Sequence, residues 1–133
     1  MNGYIEGGAY AGQHGPMDSE YEPGWYSYDK LTDIIAPSPA MLWVFTEEQA
    51  DSINDGYFRF DPQRTSQWLD LPASYHGGTC GFSFADGHAE IKKWLDPSTF
   101  VAVVKNQHSF YNAPNSVDIQ WMIPRSTAPT GGP

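Results

Sequence analysis

Residues 79 to 95 carry the tightest structural instruction in the chain. Thr79–Ala85 and His88–Leu95 are two runs in which apolar and polar residues alternate, and only Asp86-Gly87 separates them. An Asp-Gly pair between alternating runs is a strong local hairpin signal, because glycine takes positive φ without a Cβ penalty. The spacing predicts a two-residue type I′ turn. Ala85 then faces His88, Phe84 faces Ala89, Phe82 faces Ile91 and Cys80 faces Lys93. In that register Phe82, Phe84, Ala89 and Ile91 share one apolar face, and Gly81, Ser83, Glu90 and Lys92 share a polar one. Turn and pattern agree on a single register, as a half-buried sheet requires.

The flanking sequence adds short elements and long loops. Met41–Thr46 is apolar on both faces and reads as a covered strand. Asn54-Asp55-Gly56 is a turn, Tyr57–Phe60 a further strand ended by Pro62, and 61–78 a loop anchored by Trp68 and Leu71. Residues 1–29 read as extended and loop-rich, broken by glycines and prolines and pinned down by aromatics that include Tyr10, Tyr21 and Trp25. Residues 30–35 form a short element closed by Pro37 and Pro39, and 98–114 stay ambiguous. Ser116 and Asp118 suit the cap and first turn of a short C-terminal helix that Pro124 stops. The expected fold is α+β and mainly β. It has a small antiparallel sheet of about four strands, long loops and that helix, in one domain over 1–125 with a flexible tail at 126–133.

Composition narrows the function classes. The chain of 133 residues holds 16 acidic against 7 basic residues, a formal charge of −9, which phosphate backbones repel. Nucleic acid is excluded as a partner on that ground. With 13 Gly, 11 Pro and 15% aromatics the chain suits turns and strands better than a helical bundle. A single cysteine, Cys80, excludes an internal disulfide framework. The longest apolar run, Ala40–Phe45, falls far short of the ~20 residues that span a bilayer. The start, Met1-Asn2-Gly3-Tyr4, has neither a charged n-region nor an apolar h-region, so no signal peptide and no membrane contact by this chain are expected.

Several constellations invite chemistry, and each has a plainer explanation. His76, Asp86 and His88 could form a metal or acid–base site, which would make the chain a metal-dependent hydrolase. Extended residues 79–85, at roughly 3.3 Å each, put His76 and Asp86 at opposite ends of one strand. The turn-forming role of Asp86-Gly87 is therefore preferred. Asp51, Asn54 and Asp55 could offer oxygen ligands to calcium. Ile53 and Pro62 occupy positions where an EF-hand loop needs ligands, so an Asx-type turn is the simpler reading. Glu47 and Glu48 are adjacent, and on a strand they point to opposite faces, which is wrong for a catalytic carboxylate pair. Cys80 falls in phase with Phe82 and Phe84 and reads as a small buried hydrophobe. Loop aromatics such as Trp25, Trp68 and Tyr75 could line a glycan- or cell-wall-binding face. Walker, Rossmann, CxxC, HExxH and GxSxG patterns are absent from the sequence.

The stretch Tyr75-His76-Gly-Gly-Thr-Cys-Gly-Phe-Ser-Phe-Ala-Asp86-Gly87-His88 resembles the signature of prepilin-type processing-associated proteins: His, nine residues, Asp-Gly. Pro37–Phe45, Asp51–Gly56 and Asp118-Ile-Gln-Trp121 are similar to that family's C-terminal region. The family is pseudopilin-like and close to the pseudopilin G group of type II secretion. The resemblance implies a pilin-like globular domain without the N-terminal helix. It implies a structural, non-catalytic role in a type II secretion or type IV pilus-like filament, a periplasmic or cell-surface location, and other filament subunits as partners. His76, Asp86 and Gly87 would be structural motif residues. No cofactor is expected; calcium enters only because related major pseudopilins bind it.

Overall fold

The computed structural model describes residues 1–5 and 24–131. Tyr10 and Tyr21 therefore lie outside the described residues. Among the described residues there are five short strands: β1 (Trp43–Thr46), β2 (Gln67–Trp68), β3 (Thr79–Phe84), β4 (Ala89–Lys93) and β5 (Tyr111–Asn112). They form two antiparallel sheets, one of three strands in the order β1-β3-β4 and one pairing β2 with β5. The result is a small, mainly β, mixed domain, but not one sheet of four strands. Tyr57–Phe60 does not join the sheet as a strand. Phe58 makes an isolated parallel bridge to Asn2, and the Phe58 and Phe60 rings go into the core instead.

The hairpin forms where the sequence places it, with a different turn. The loop is Ala85-Asp86-Gly87: the Phe84 amide donates to the His88 carbonyl at 2.9 Å, and the Gly87 amide donates to the Phe84 carbonyl at 2.9 Å. Gly87 has φ +95° and is the loop's one positive-φ residue, the signature of a three-residue turn with a G1 bulge. One extra loop residue moves the register by one. Phe82 pairs with Glu90, Gly81 with Ile91 and Cys80 with Lys92. Cys80, Phe82 and Phe84 still face inward, but Ala89 and Ile91 turn outward beside Ser83 and Gly81.

An aromatic cluster fills the space beneath the inner face. Phe82 meets Trp43, Trp94 and Trp121 edge to face at 5.8, 5.9 and 5.2 Å between centroids, and Trp94 meets Trp68 at 6.1 Å. Edge-to-face contacts of this kind add about 0.5–1.5 kcal/mol each beyond area burial. Two of the indole N–H groups are satisfied within the core. Trp94 Nε1 donates to the Ala73 carbonyl and Trp43 Nε1 donates to Ser126 Oγ, both at 2.8 Å.

Ser116 caps the C-terminal helix, Val117–Ser126, its Oγ accepting from the Ile119 amide. The helix does not stop at Pro124. Proline's fixed φ suits a helix, but Pro124 removes one N–H donor and its ring crowds the Gln120 carbonyl, so it weakens the last turn. Arg125 Nη1 donates to the Trp121 carbonyl and Ser126 Oγ to the Met122 carbonyl, which stitches that turn by side chains. Nor are residues 126–130 a free tail. Trp25 and Pro129 form an antiparallel bridge, Tyr26 N donates to the Ala128 carbonyl, and Thr130 N donates to the Gly24 carbonyl.

Candidate interaction surface

Phe45, Gly81, Ser83, Ala89 and Ile91 occupy the outer face of the three-stranded sheet. Phe45 is 58% exposed and Ile91 80% exposed, a large apolar display for so small a sheet. The middle strand contributes only Gly81 and Ser83 here, so Phe45 and Ile91 stand as walls on either side of a low floor. The shallow groove between them has a volume of about 600 Å³, with Glu47 on its rim. Glu47 Oε2 accepts from the Gly81 amide at 3.1 Å, which fixes one acidic edge of the groove. The register change puts Ile91 on this surface, and the alternating pattern alone would have hidden it.

The motif residues frame the sheet rather than meet one another. His76, Gly77 and Gly78 lie before β3, all at positive φ (+55°, +74° and +85°), one left-handed turn of backbone. The turn is closed by the Gly78 amide on the Ser74 carbonyl and by Thr79 Oγ1 on the His76 carbonyl. The His76 side chain is exposed. Asp86 and Gly87 sit beyond the other end of β3 in the hairpin loop. There Asp86 Oδ1 accepts from the His88 amide at 3.0 Å and also contacts His88 Nδ1. The His88 amide, and then its ring, lower the Asp86 carboxyl, and the carboxylate in turn raises the His88 imidazole. The ring stacks on Phe84 at 4.5 Å and 6°, closing the turn. His76 and Asp86 are thus separated by the whole length of β3, and among the described residues no group of three His, Cys, Asp or Glu is placed to hold a metal ion.

The acidic loop behaves differently from an open ligand set. Asp51 is buried, and its carboxylate accepts from the Val104 amide at 2.7 Å and the Asn106 amide at 3.1 Å. Those donors, Val104 first, stabilise the carboxylate and hold its pKa below the ordinary aspartate value, and they tie down the loop that follows residue 100. Asn54 and Asp55 instead line a second, polar cavity of about 260 Å³ with Arg59 and Asp70. Asp55 Oδ1 accepts from the Tyr57 amide, an Asx turn. Asp70, which sequence reasoning overlooked, is buried and accepts from the Arg59 amide at 2.7 Å. Burial raises its carboxyl, and burial pushes the carboxyl of Glu48 up to about 7.

The aromatic residues considered for glycan stacking do not converge. Trp68 is fully buried in the core, Trp25 is half-buried against the Tyr4–Tyr28–Leu42 cluster, and Tyr75 is exposed with its hydroxyl accepting from the Ala50 amide. Cys80 is buried, its Sγ 3.1 Å from Thr46 Oγ1, and desolvation raises its thiol. Comparison with family models, with curated proteins and with solved structures finds no match for this chain.

Proposed function

We propose that this chain is structural and non-catalytic: the globular domain of a pseudopilin-like subunit in a type II secretion or type IV pilus-like filament. It would work in the periplasm or at the cell surface among other subunits of that filament. The observation that carries the reading is what the motif residues do. His76 belongs to the left-handed turn before β3, and Asp86 and Gly87 build the hairpin loop after it. The motif supports the backbone of β3, and β3 supplies the floor of the exposed apolar groove. A domain whose signature residues hold up a contact surface suits a subunit that packs against neighbours.

Filaments sheared from the source cells, pelleted and probed for this chain test the reading. The chain is expected in the filament fraction. A Phe45→Asp variant with unchanged thermal unfolding is expected to drop out of it, since Phe45 forms a wall of the groove without filling the core. Recovery of the chain only as free protein, with filaments and secretion intact after its gene is deleted, would overturn the proposal.

A further inference from the structure

The outer edge of β4 is the last row of the sheet, and its backbone is unpaired among the described residues. The ladder's phase shows which groups point outward. His88 and Trp94 bond toward β3, through Phe84 N to His88 O and Trp94 N to Gly78 O. Alternation along an antiparallel strand then aims the N–H and C=O groups of Ala89, Ile91 and Lys93 away from β3. An unpaired row of this kind is a template for another strand.

We infer that this edge pairs with β4 of a second copy of the chain, antiparallel, with the two-fold axis at Ile91. Charge selects the register. With the axis at Ile91, Ala89 faces Lys93 of the second copy, Glu90 faces Lys92 and Ile91 faces Ile91. Moving the axis to residue 90 sets Glu90 against Glu90, and moving it to residue 92 sets Lys92 against Lys92. Only the axis at Ile91 also uses all of Ala89–Lys93. The outward-pointing residues 89, 91 and 93 then form the hydrogen-bonded pairs. Glu90 and Lys92 form the closer, non-hydrogen-bonded pairs, where opposite charges stabilise and like charges repel. Both Ile91 side chains lie on the same face, so the two grooves become one apolar strip across a six-stranded sheet. This pairing goes beyond the filament reading and requires no filament.

The test uses the purified full chain. In a hydrogen-bonded antiparallel pair the Cα atoms lie about 5.5 Å apart, within disulfide reach. Ile91→Cys is expected to oxidise to a covalent dimer. Ala89→Cys alone and Lys93→Cys alone are expected to stay monomeric, and a mixture of those two to cross-link. By sedimentation, Ile91→Pro is expected to abolish association while keeping the parent's circular dichroism, because proline is tolerated where the strand N–H faces outward. Glu90→Lys is expected to weaken the dimer about tenfold or more, and Glu90→Lys with Lys92→Glu to recover most of it. A parent chain monomeric at about 1 mM, where any association worth more than about 4 kcal/mol is at least half complete, would overturn the inference. So would a dimer that Ile91→Pro leaves intact, or Ala89→Cys cross-linking as readily as Ile91→Cys. None of these outcomes bears on Phe45 or on recovery in filaments, so each proposal can fail without the other.

Discussion

The ring of Phe100 lies so close over Gly78 that a Cβ built there would come within 2.2 Å of Phe100 Cε1. Gly77, its neighbour in the same left-handed turn, has open space around it. Both have positive φ, so both carry the backbone cost of an L side chain, on the order of 1 kcal/mol. Gly78→Ala adds the clash. Chemical denaturation should show Gly77→Ala costing about 1 kcal/mol and Gly78→Ala about 2–3 kcal/mol. Adding Phe100→Ala to Gly78→Ala should return part of the difference. Equal losses at the two glycines would mean that the ring does not hold the turn.

Asp118 tests whether buried polar tethers outweigh helix-end electrostatics. Its carboxylate accepts from the Leu95 and Asp96 amides, and from Thr99 Oγ1 at 2.6 Å, while wholly buried. Asp118→Ala leaves those donors unpaired and should cost about 2–4 kcal/mol in denaturant melts. Thr99→Val removes one partner and should cost about 1–2 kcal/mol. A loss at Asp118 under about 1 kcal/mol would reduce it to an ordinary first-turn acid.

Glu48 should make stability fall as pH rises. Its carboxyl is pushed up to about 7 from an ordinary 4.5, chiefly by burial. Because the folded form holds the proton more tightly, this contribution is fully present below pH 4.5 and is lost as pH rises through 7. Glu48→Gln, neutral at every pH, should match the parent at pH 4.5 and exceed it at pH 8. The expected margin is about 1–2 kcal/mol, after discounting for the solvent that screens this half-exposed group. Parallel stability–pH curves for parent and variant would remove Glu48 as the cause.

Gly87 is surrounded by open space at φ +95°, so only backbone strain opposes a side chain there. Gly87→Asn should be nearly neutral, since Asn tolerates positive φ, whereas Gly87→Val should cost on the order of 2 kcal/mol. If Val is as mild as Asn in thermal unfolding, the loop does not keep this conformation.

The parts of the fold that read correctly from sequence are those decided within a few residues. The Asp-Gly pair locates the hairpin, Ser116 caps the helix, and Cys80 falls into phase with Phe82 and Phe84. The register did not follow, because Phe84–His88 supports both a two-residue and a three-residue turn, and the pattern favours the tidier one. The extra loop residue moves Glu90 and Lys92 to the inner side, where Lys92 Nζ sits 5.3 Å over the Trp121 ring. Trp121 lies 29 residues further along the chain, beyond any local pattern. The same holds for Asp51, whose amide partners Val104 and Asn106 lie more than 50 residues away. A carboxylate satisfied by distant backbone is indistinguishable in sequence from one waiting for a cation. Tyr57–Phe60 has strand-like residues, and the core takes its rings without giving its backbone a partner strand.

The number of residues between Phe84 and His88 acts as a parity switch on β4. With Ala85, Asp86 and Gly87 in the loop, an isoleucine looks out and a lysine lies across indole rings. Removing one of the three would turn the strand over, inserting the isoleucine and expelling the lysine. Length variation at this bend is therefore a way to gain or lose an exposed apolar face while the residues of the strand stay the same.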